Sequence, residues 1–375
     1  MLLADSDTCS ARCSTIVSDV PDTNVLLLTA AIGSGHVSAT EALAAHLHPE
    51  AKRVDSCDLT LGATSLSRAP SAYQYLTTRQ PLLWHGYFAL RQRSTLVRKL
   101  VRSSIRADLL AVLDAIDLGA YTDVVLKHSL YTQFARDISQ RGPRVSVYCT
   151  DVFGGPEEWF DHPAHLFVVP SRQQADRALA RNVQGPVIIR RMVTRAPRRP
   201  RLDIASLSVT KILIAGGGTG AGRIEGVLSA VLETLPHARV VVSTGSNERL
   251  RSHLSGTSPA RVEVRGYISE MAREFADYSL VITKPGSVTL MEISDVNVPF
   301  ILIPGIPGIE SGTTVEYCRR LGVRRLRTER MFRHWFTPDG VTTKEGARAI
   351  QAGLDLLAEL PDDALRAKDL PGWTE

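Results

Sequence analysis

Ala31-Ile32-Gly33-Ser34-Gly35-His36 and Ala215-Gly216-Gly217-Gly218-Thr219-Gly220-Ala221-Gly222 are the two stretches whose reading decides the fold. The first follows the apolar run 25–29 and leads into a helix-like stretch, 37–48. The second follows another short apolar strand, 211–214, about halfway along the chain. A strand, a glycine turn and a helix in that order aim backbone N–H groups at one point, where they attract phosphate. Two such units predict an α/β protein of two Rossmann-like domains facing one another across a cleft. The first unit offers an imidazole to that cleft and the second offers bare amides.

The same rhythm extends outward from both turns. Strands are expected at 123–127, 144–149 and 166–169, with helices at 96–116 and 173–182. Residues 190–201 then break the pattern with six arginines, Pro197 and Pro200, as a domain connector does. Beyond it the pattern restarts: strands at 239–244, 261–265, 280–283 and 300–304, helices at 224–235, 269–275, 287–295 and 344–360. The expected division is a flexible leader 1–23, a first domain 24–190, a hinge 191–208, a second domain 209–343, and a closing helix and tail 344–375.

Composition bounds the function classes. The chain has 375 residues, 44% hydrophobic and 22% charged, an ordinary globular balance. No apolar run approaches the ~18–20 residues that span a bilayer. The polar first twenty residues lack the apolar core of ~7–15 residues expected of a secretory signal. Cys9, Cys13, Cys57, Cys149 and Cys318 are odd in number and scattered, which reads as reduced thiols in a cytoplasmic protein without a zinc site. A net charge of +5 fits anionic partners: a sugar nucleotide, nucleic acid or an acidic lipid surface.

Gly216-x-Gly218-x-x-Ala221 also satisfies the loose dinucleotide fingerprint, which wants an acidic residue at the end of the next strand to hold a ribose. That strand ends in Ser243-Thr244-Gly245, with no carboxylate. A phosphate cradle fits better than an NAD site. A second cluster is Thr283-Lys284-Pro285-Gly286-Ser287-Val288-Thr289, with Glu292 beyond it, then Ile306-Pro307-Gly308-Ile309-Glu310-Ser311-Gly312. Ser287 can cap a helix whose N-terminus attracts phosphate, and Glu292 can reach ribose hydroxyls. The plain alternative is a strand–turn–helix with a surface glutamate.

In this order the motifs resemble the nucleotide-sugar domain of the synthases that make monogalactosyl- or glucosyl-diacylglycerol. They are more distantly similar to the N-acetylglucosaminyltransferase that completes lipid II. Gly33-x-Gly35-His36 matches that family's first loop, and Tyr75 with Trp84 and Tyr87 its aromatic acceptor segment. Lys127-His128 stands at its His-Pro pair, Thr150-Asp151 with Trp159 at its Thr-Asp…Trp segment, and Gly266-Tyr267-Ile268 with Met271 at its uracil-binding turn. The resemblance runs from about 24 to 325. It departs at Arg191-Met192-Val193, where the family has Gly-x-Pro, and at Ile309 and Thr313, where it has Gln and Asn.

The resemblance implies the GT-B architecture and an inverting, metal-independent transfer of a sugar from a UDP-sugar to a hydroxyl of a lipid-like acceptor. No cofactor beyond the UDP-sugar co-substrate is implied. Carried over, Gly217, Gly218, Thr219 and Gly220 approach the diphosphate, with Ser287 and Thr289 covering it and Arg195 neutralising it. Tyr267, Ile268 and Met271 take the uracil, Glu292 the ribose and Glu310 a sugar hydroxyl. Gly33, Gly35, Tyr75, Trp84, Tyr87 and His128 fall to the acceptor side. His36 is the favoured general base and Asp151 the second candidate. Other acceptors stay open, a polyprenyl carrier or a natural-product alcohol among them, as does a UDP-sugar epimerase or hydrolase of the same fold.

Leu96, Val97, Leu100, Val101 and Ile105 fall on one half of a helix, and Arg91, Arg98, Lys99, Arg102 and Arg106 on the other. Such a helix suits an anionic bilayer at the cytoplasmic face, or a core-packed helix with a solvated basic side. Nucleic acid is disfavoured, because the aromatics precede the basic face and do not interleave with it.

Overall fold

A computed structural model describes residues 22–30, 34–63, 66, 69–199 and 207–371. Most of the expected leader with Cys9 and Cys13, Gly33 of the first turn and part of the hinge lie outside the described residues. The first domain runs β1 (Asn24–Thr29), α1 (Ser34–Leu47), β2 (Arg53–Asp58), α2 (Leu59–Gly62), α3 (Ala69–Arg79), α4 (Pro81–Arg93) and α5 (Thr95–Asp114). It continues β3 (Asp123–Leu126), α6 (Ala135–Ser139), β4 (Arg144–Tyr148), β5 (Leu166–Val169), α7 (Arg172–Ala180) and β6 (Val187–Ile189). Its six strands lie parallel in the order β2-β1-β3-β4-β5-β6.

The second domain runs β7 (Lys211–Ala215), α8 (Ile224–Thr234), β8 (Arg239–Ser243), α9 (Glu248–Thr257), β9 (Val262–Arg265), α10 (Met271–Glu274), β10 (Leu280–Thr283) and α11 (Ser287–Val296). It closes with β11 (Phe300–Leu302), α12 (Ser311–Leu321), α13 (Thr328–Met331) and α14 (Lys344–Ala358), around a parallel sheet ordered β11-β10-β7-β8-β9. Central strands such as β1 and β10 are nearly continuous apolar runs because helices cover both faces of a parallel sheet.

Each sheet reverses its strand order once, between β1 and β3 in the first and between β7 and β10 in the second. Loops leaving the strand ends at a reversal diverge and open a crevice, the place where such sheets bind ligands. His36 follows β1 and His128 follows β3; Gly217 follows β7 and Lys284 follows β10. The two reversals face each other. The α1 helix packs on α11, where a Cβ on Gly35 would meet Val288 at 3.3 Å. Gly35 therefore permits the close approach of the two domains.

Two edge strands, β2 and β6, lie outside the expected pattern. Four of the six β2 residues are polar or charged, yet Asp55 is buried, accepting a 2.6 Å hydrogen bond from the Tyr121 hydroxyl and pairing with Arg53 at 2.6 Å. The hinge is held by an ion pair: buried Arg191 meets Asp295 of α11 at 2.8 Å, and the Thr194 hydroxyl donates to the same carboxylate at 2.6 Å. The tail also departs from the expected division. After α14 packs on α12 and β11, the chain returns to the first domain. There Asp363 accepts from the Arg191 amide (2.6 Å), Ala367 donates to Glu50 (2.9 Å) and Asp369 pairs with Arg190 (3.1 Å).

Candidate active site

The facing crevices enclose a cavity of about 480 Å³. On its first-domain side, the start of α1 brings in His36, whose Nδ1 lies 3.3 Å from the Thr150 hydroxyl. The His128 ring stands 4.7 Å away, edge-on, its Nδ1 accepting from the Leu130 amide at 3.2 Å. Burial, then the charge of Lys127, pushes His36 down to about 4, so its imidazole is neutral at pH 7. Burial also holds His128 well below the usual histidine range. Lys127 is fully buried, its Nζ donating to the Ala39 carbonyl of α1 at 2.6 Å and lying 4.9 Å from the Tyr148 ring centre. It thereby ties α1 to the end of β3.

Asp151 lines the same wall and accepts a 2.6 Å hydrogen bond from the Trp159 indole. Burial raises its carboxyl to about 6, against the opposing pull of that bond and of Arg177. It is still mostly ionised at pH 7, and it is the stronger base of the two.

On the opposite wall, Gly217, Gly218 and Thr219 line the cavity. Among the described residues the buried Thr219 hydroxyl has no partner, an orphan that a ligand oxygen would satisfy. Gly217 has φ +66°, and a Cβ there would come within 2.6 Å of the Lys284 side chain. Lys284 is thus laid across the glycine turn, its Nζ paired with Glu310. Glu310 also accepts from the Ile306 amide at 2.7 Å. The N-terminus of α11 adds Ser287 and Thr289 to the lining, and Glu292 sits 9% exposed one turn on. Burial, then nearby Asp295, lifts Glu292 to about 7. Tyr267, Ile268 and Met271 close the far end.

The apolar side of the cavity is built by α3, α4 and α5, which turn Tyr73, Leu76, Trp84, Tyr87, Phe88, Val101 and Ile105 into it. Trp84 and Phe88 cross the cleft to form a small apolar cluster with Ala221 and Ile306. Phe88 occupies the space that a side chain on Gly308 would need. The buried Trp84 indole N–H has no partner.

Several expected residues sit elsewhere. Tyr75 is 56% exposed and off the cavity; Tyr73, one helical face away, takes its place. Gly220 lies beneath the turn, where a side chain would strike the Thr244 carbonyl, so it shapes the cradle without lining it. Arg195 lines the cavity, but its guanidinium pairs with Glu41 of α1. The basic helix differs from the core-packed expectation, because its arginines are not left to solvent. Ser94 breaks it, accepting from the Val97 amide to cap α5. The arginines face inward onto acids: Arg91 onto Glu158, Arg98 and Arg102 onto Asp161, and Arg106 onto Asp137. Leu96 and Leu100 are left 66% and 62% exposed.

Lys284 is the residue to which sequence reasoning gave no role. Its signal was a cation directly after the strand at a topological reversal, just before Pro285-Gly286. Among the described residues no three His, Cys, Asp or Glu side chains gather as a metal site requires.

Residues 211–308 match the glycosyltransferase family 28 C-terminal domain, which spans β7 to the loop beyond β11. A processive diacylglycerol beta-glucosyltransferase of Bacillus thuringiensis is 32% identical over 112 residues, 29% of this chain and 29% of that protein. Monogalactosyldiacylglycerol synthase 3 of Arabidopsis thaliana is 28% identical over 182 residues, 44% of this chain and 39% of that one. The chain thus matches well under half the length of these relatives. Among solved structures, the spinosyn rhamnosyltransferase SpnG superposes with a TM-score of 0.58 at 15% identity, covering 92% of this chain and 98% of that one. A UDP-glucosyltransferase from Polygonum tinctorium gives 0.56 at 14%, covering 92% and 96%. The fold is the two-domain GT-B arrangement.

Proposed function

We propose that the chain is an inverting glycosyltransferase that moves a sugar from a UDP-sugar to a hydroxyl of a lipid-like acceptor. The observation that carries this reading is one cleft with a phosphate cradle on one wall and a neutral imidazole beside a carboxylate on the other. The amides of Gly217 and Gly218, the Thr219 hydroxyl, Lys284 and the N-terminus of α11 hold the diphosphate. These dipoles and one cation neutralise the departing charge, so the reading requires no metal. Glu292 accepts from the ribose hydroxyls, and the 265–271 turn takes the uracil.

His36 takes the acceptor's proton as its oxygen attacks the anomeric carbon. The bond to the UDP oxygen breaks on the opposite face, its electron pair leaves with UDP, and the configuration inverts. Thr150 orients the imidazole, and ionised Asp151 stabilises the imidazolium that forms. The arriving diphosphate charge raises the low basicity of His36 in the empty cleft.

An apolar acceptor wall suits the hydrocarbon chains of a diacylglycerol, and the Trp84 indole N–H, without a partner among the described residues, can donate to one of its two ester carbonyls. The relatives that make glycosyl-diacylglycerols support the same acceptor class. Among the described residues no helix is long and apolar enough to cross a membrane. The exposed leucines of α4 and α5 bring the acceptor mouth to a lipid surface, at the cytoplasmic membrane face in this reading.

The test is UDP release from a panel of UDP-sugars, with and without anionic liposomes containing diacylglycerol. Release from one donor only when lipid is present supports the reading and names the sugar. Release without lipid points to a hydrolase or epimerase of the same fold.

A further inference from the structure

A second cavity of about 630 Å³ lies in the donor domain, outside the cleft, between α12 and the segment that leads to α13. Its position follows from local sequence. The α12 helix stops at Gly322, left-handed at φ 77°. The chain then runs through Arg324-Arg325-Leu326-Arg327, with Leu326 buried and the Thr328 hydroxyl donating to the Leu302 carbonyl at 2.7 Å. Anchoring Leu326 and Thr328 turns the arginines between and beside them outward, around the cavity.

Charge is unbalanced there. Arg223 pairs with Glu329 at 2.7 Å and Arg319 with Glu316 at 2.7 Å. Arg324, Arg325, Arg327 and Arg330 line the cavity too, and among the described residues none of them has a carboxylate partner. The one acid in the lining, Glu329, already carries an arginine on one oxygen, while its other oxygen is buried and unpartnered. Gathering four unpaired guanidiniums around one concavity costs repulsion that a bound anion reverses. Their planar forks suit phosphate oxygens. The orphan Glu329 oxygen wants a hydroxyl donor beside that phosphate.

We propose that this cavity is a second anion site, distinct from the donor cleft, for a phosphate ester carrying a neighbouring free hydroxyl. A soluble polyol phosphate and a phosphoglycerol lipid headgroup both present that chemistry. The site does not depend on the cleft's own reaction. It adjoins the cleft through Pro304 and Thr314, whose hydroxyl donates at 3.0 Å to the carbonyl of Glu310.

The experiment is calorimetric titration of the whole chain, with its cleft saturated by UDP, using glycerol 3-phosphate and separately monomeric dihexanoylphosphatidylglycerol. One equivalent of either probe should bind, and Arg324→Gln/Arg327→Gln should weaken it tenfold or more while UDP affinity stays unchanged. Binding of glycerol 3-phosphate assigns a soluble ligand; binding of the lipid alone assigns a headgroup. Absence of binding by both probes at millimolar concentration, or equal binding by the variant, overturns the site. UDP affinity is read in the same titrations, so failure of the cleft assignment is seen separately.

Discussion

The rings of His36 and His128 meet edge-on at 4.7 Å, one carried by the first turn of α1 after β1 and the other by the loop after β3. Their approach marks the point where the first sheet reverses its strand order, and it puts two neutral imidazoles on the wall opposite the glycine cradle. His36→Ala should lower turnover by about a hundredfold or more, the scale of losing a general base, while UDP affinity stays within twofold. Turnover near that of the parent would remove His36 from the chemistry.

Asp151 sets the acid limit. Its carboxyl, near 6, must be ionised to stabilise the imidazolium, so kcat/KM should hold above pH 6 and fall as pH drops through it. His36, near 4, remains neutral through that range. Asp151→Asn should flatten the limb at a lower plateau. A limb that persists near 6 in the variant would assign the titration to another group.

Lys284 and Gly217 form one device. Lys284→Met should weaken UDP binding about 10–100-fold, the scale of about 1.5–3 kcal/mol for hydrogen bonds to charged groups. Gly217→Ala should do the same by a different route, through strain at φ +66° and displacement of the lysine. Calorimetry with UDP checks both, and unchanged affinity in Lys284→Met would place the diphosphate elsewhere.

Glu292 carries a folded-state cost that depends on pH. Its carboxyl lies near 7 in the fold against 4.5 in an ordinary setting, so stability is full below about 4.5 and declines as pH rises to 7. Glu292→Gln removes the decline. The variant should match the parent at low pH and exceed it by about 3.5 kcal/mol above pH 7, at roughly 1.4 kcal/mol per unit. UDP binding should weaken in the same variant. Denaturant curves across the pH range would reveal a constant difference if the carboxyl does not titrate there.

The leucines left outside α5 give a lipid-binding test. Leu96→Glu/Leu100→Glu should reduce sedimentation with anionic liposomes severalfold and leave UDP affinity alone. Equal sedimentation would mean that α5 does not touch the bilayer.

The βα rhythm and the second glycine turn were legible because apolar runs and glycine punctuation are local signals. The β2 strand was not, since its buried Asp55 takes a hydrogen bond from Tyr121, far along the chain, besides its pair with Arg53. The polarity of α5 misled for the same reason. Its arginines read as a solvated face until Glu158 and Asp161 fold beneath them. Lys284 acquires its place from Gly217 and Glu310, neighbours in space and not in sequence. The charge at 324–330 stood in plain view, but the concavity that concentrates it depends on where Leu326 and Thr328 anchor.

The two passages of the chain between the domains run side by side, joined where the Arg191 amide meets the Asp363 carbonyl and Arg191 bridges in parallel to Ala364. A pair of bonded crossings behaves as a door hinge and a single linker as a tether. Two bonded crossings hold the cradle at Gly217 and the imidazole of His36 in register across the cleft more firmly than one linker would.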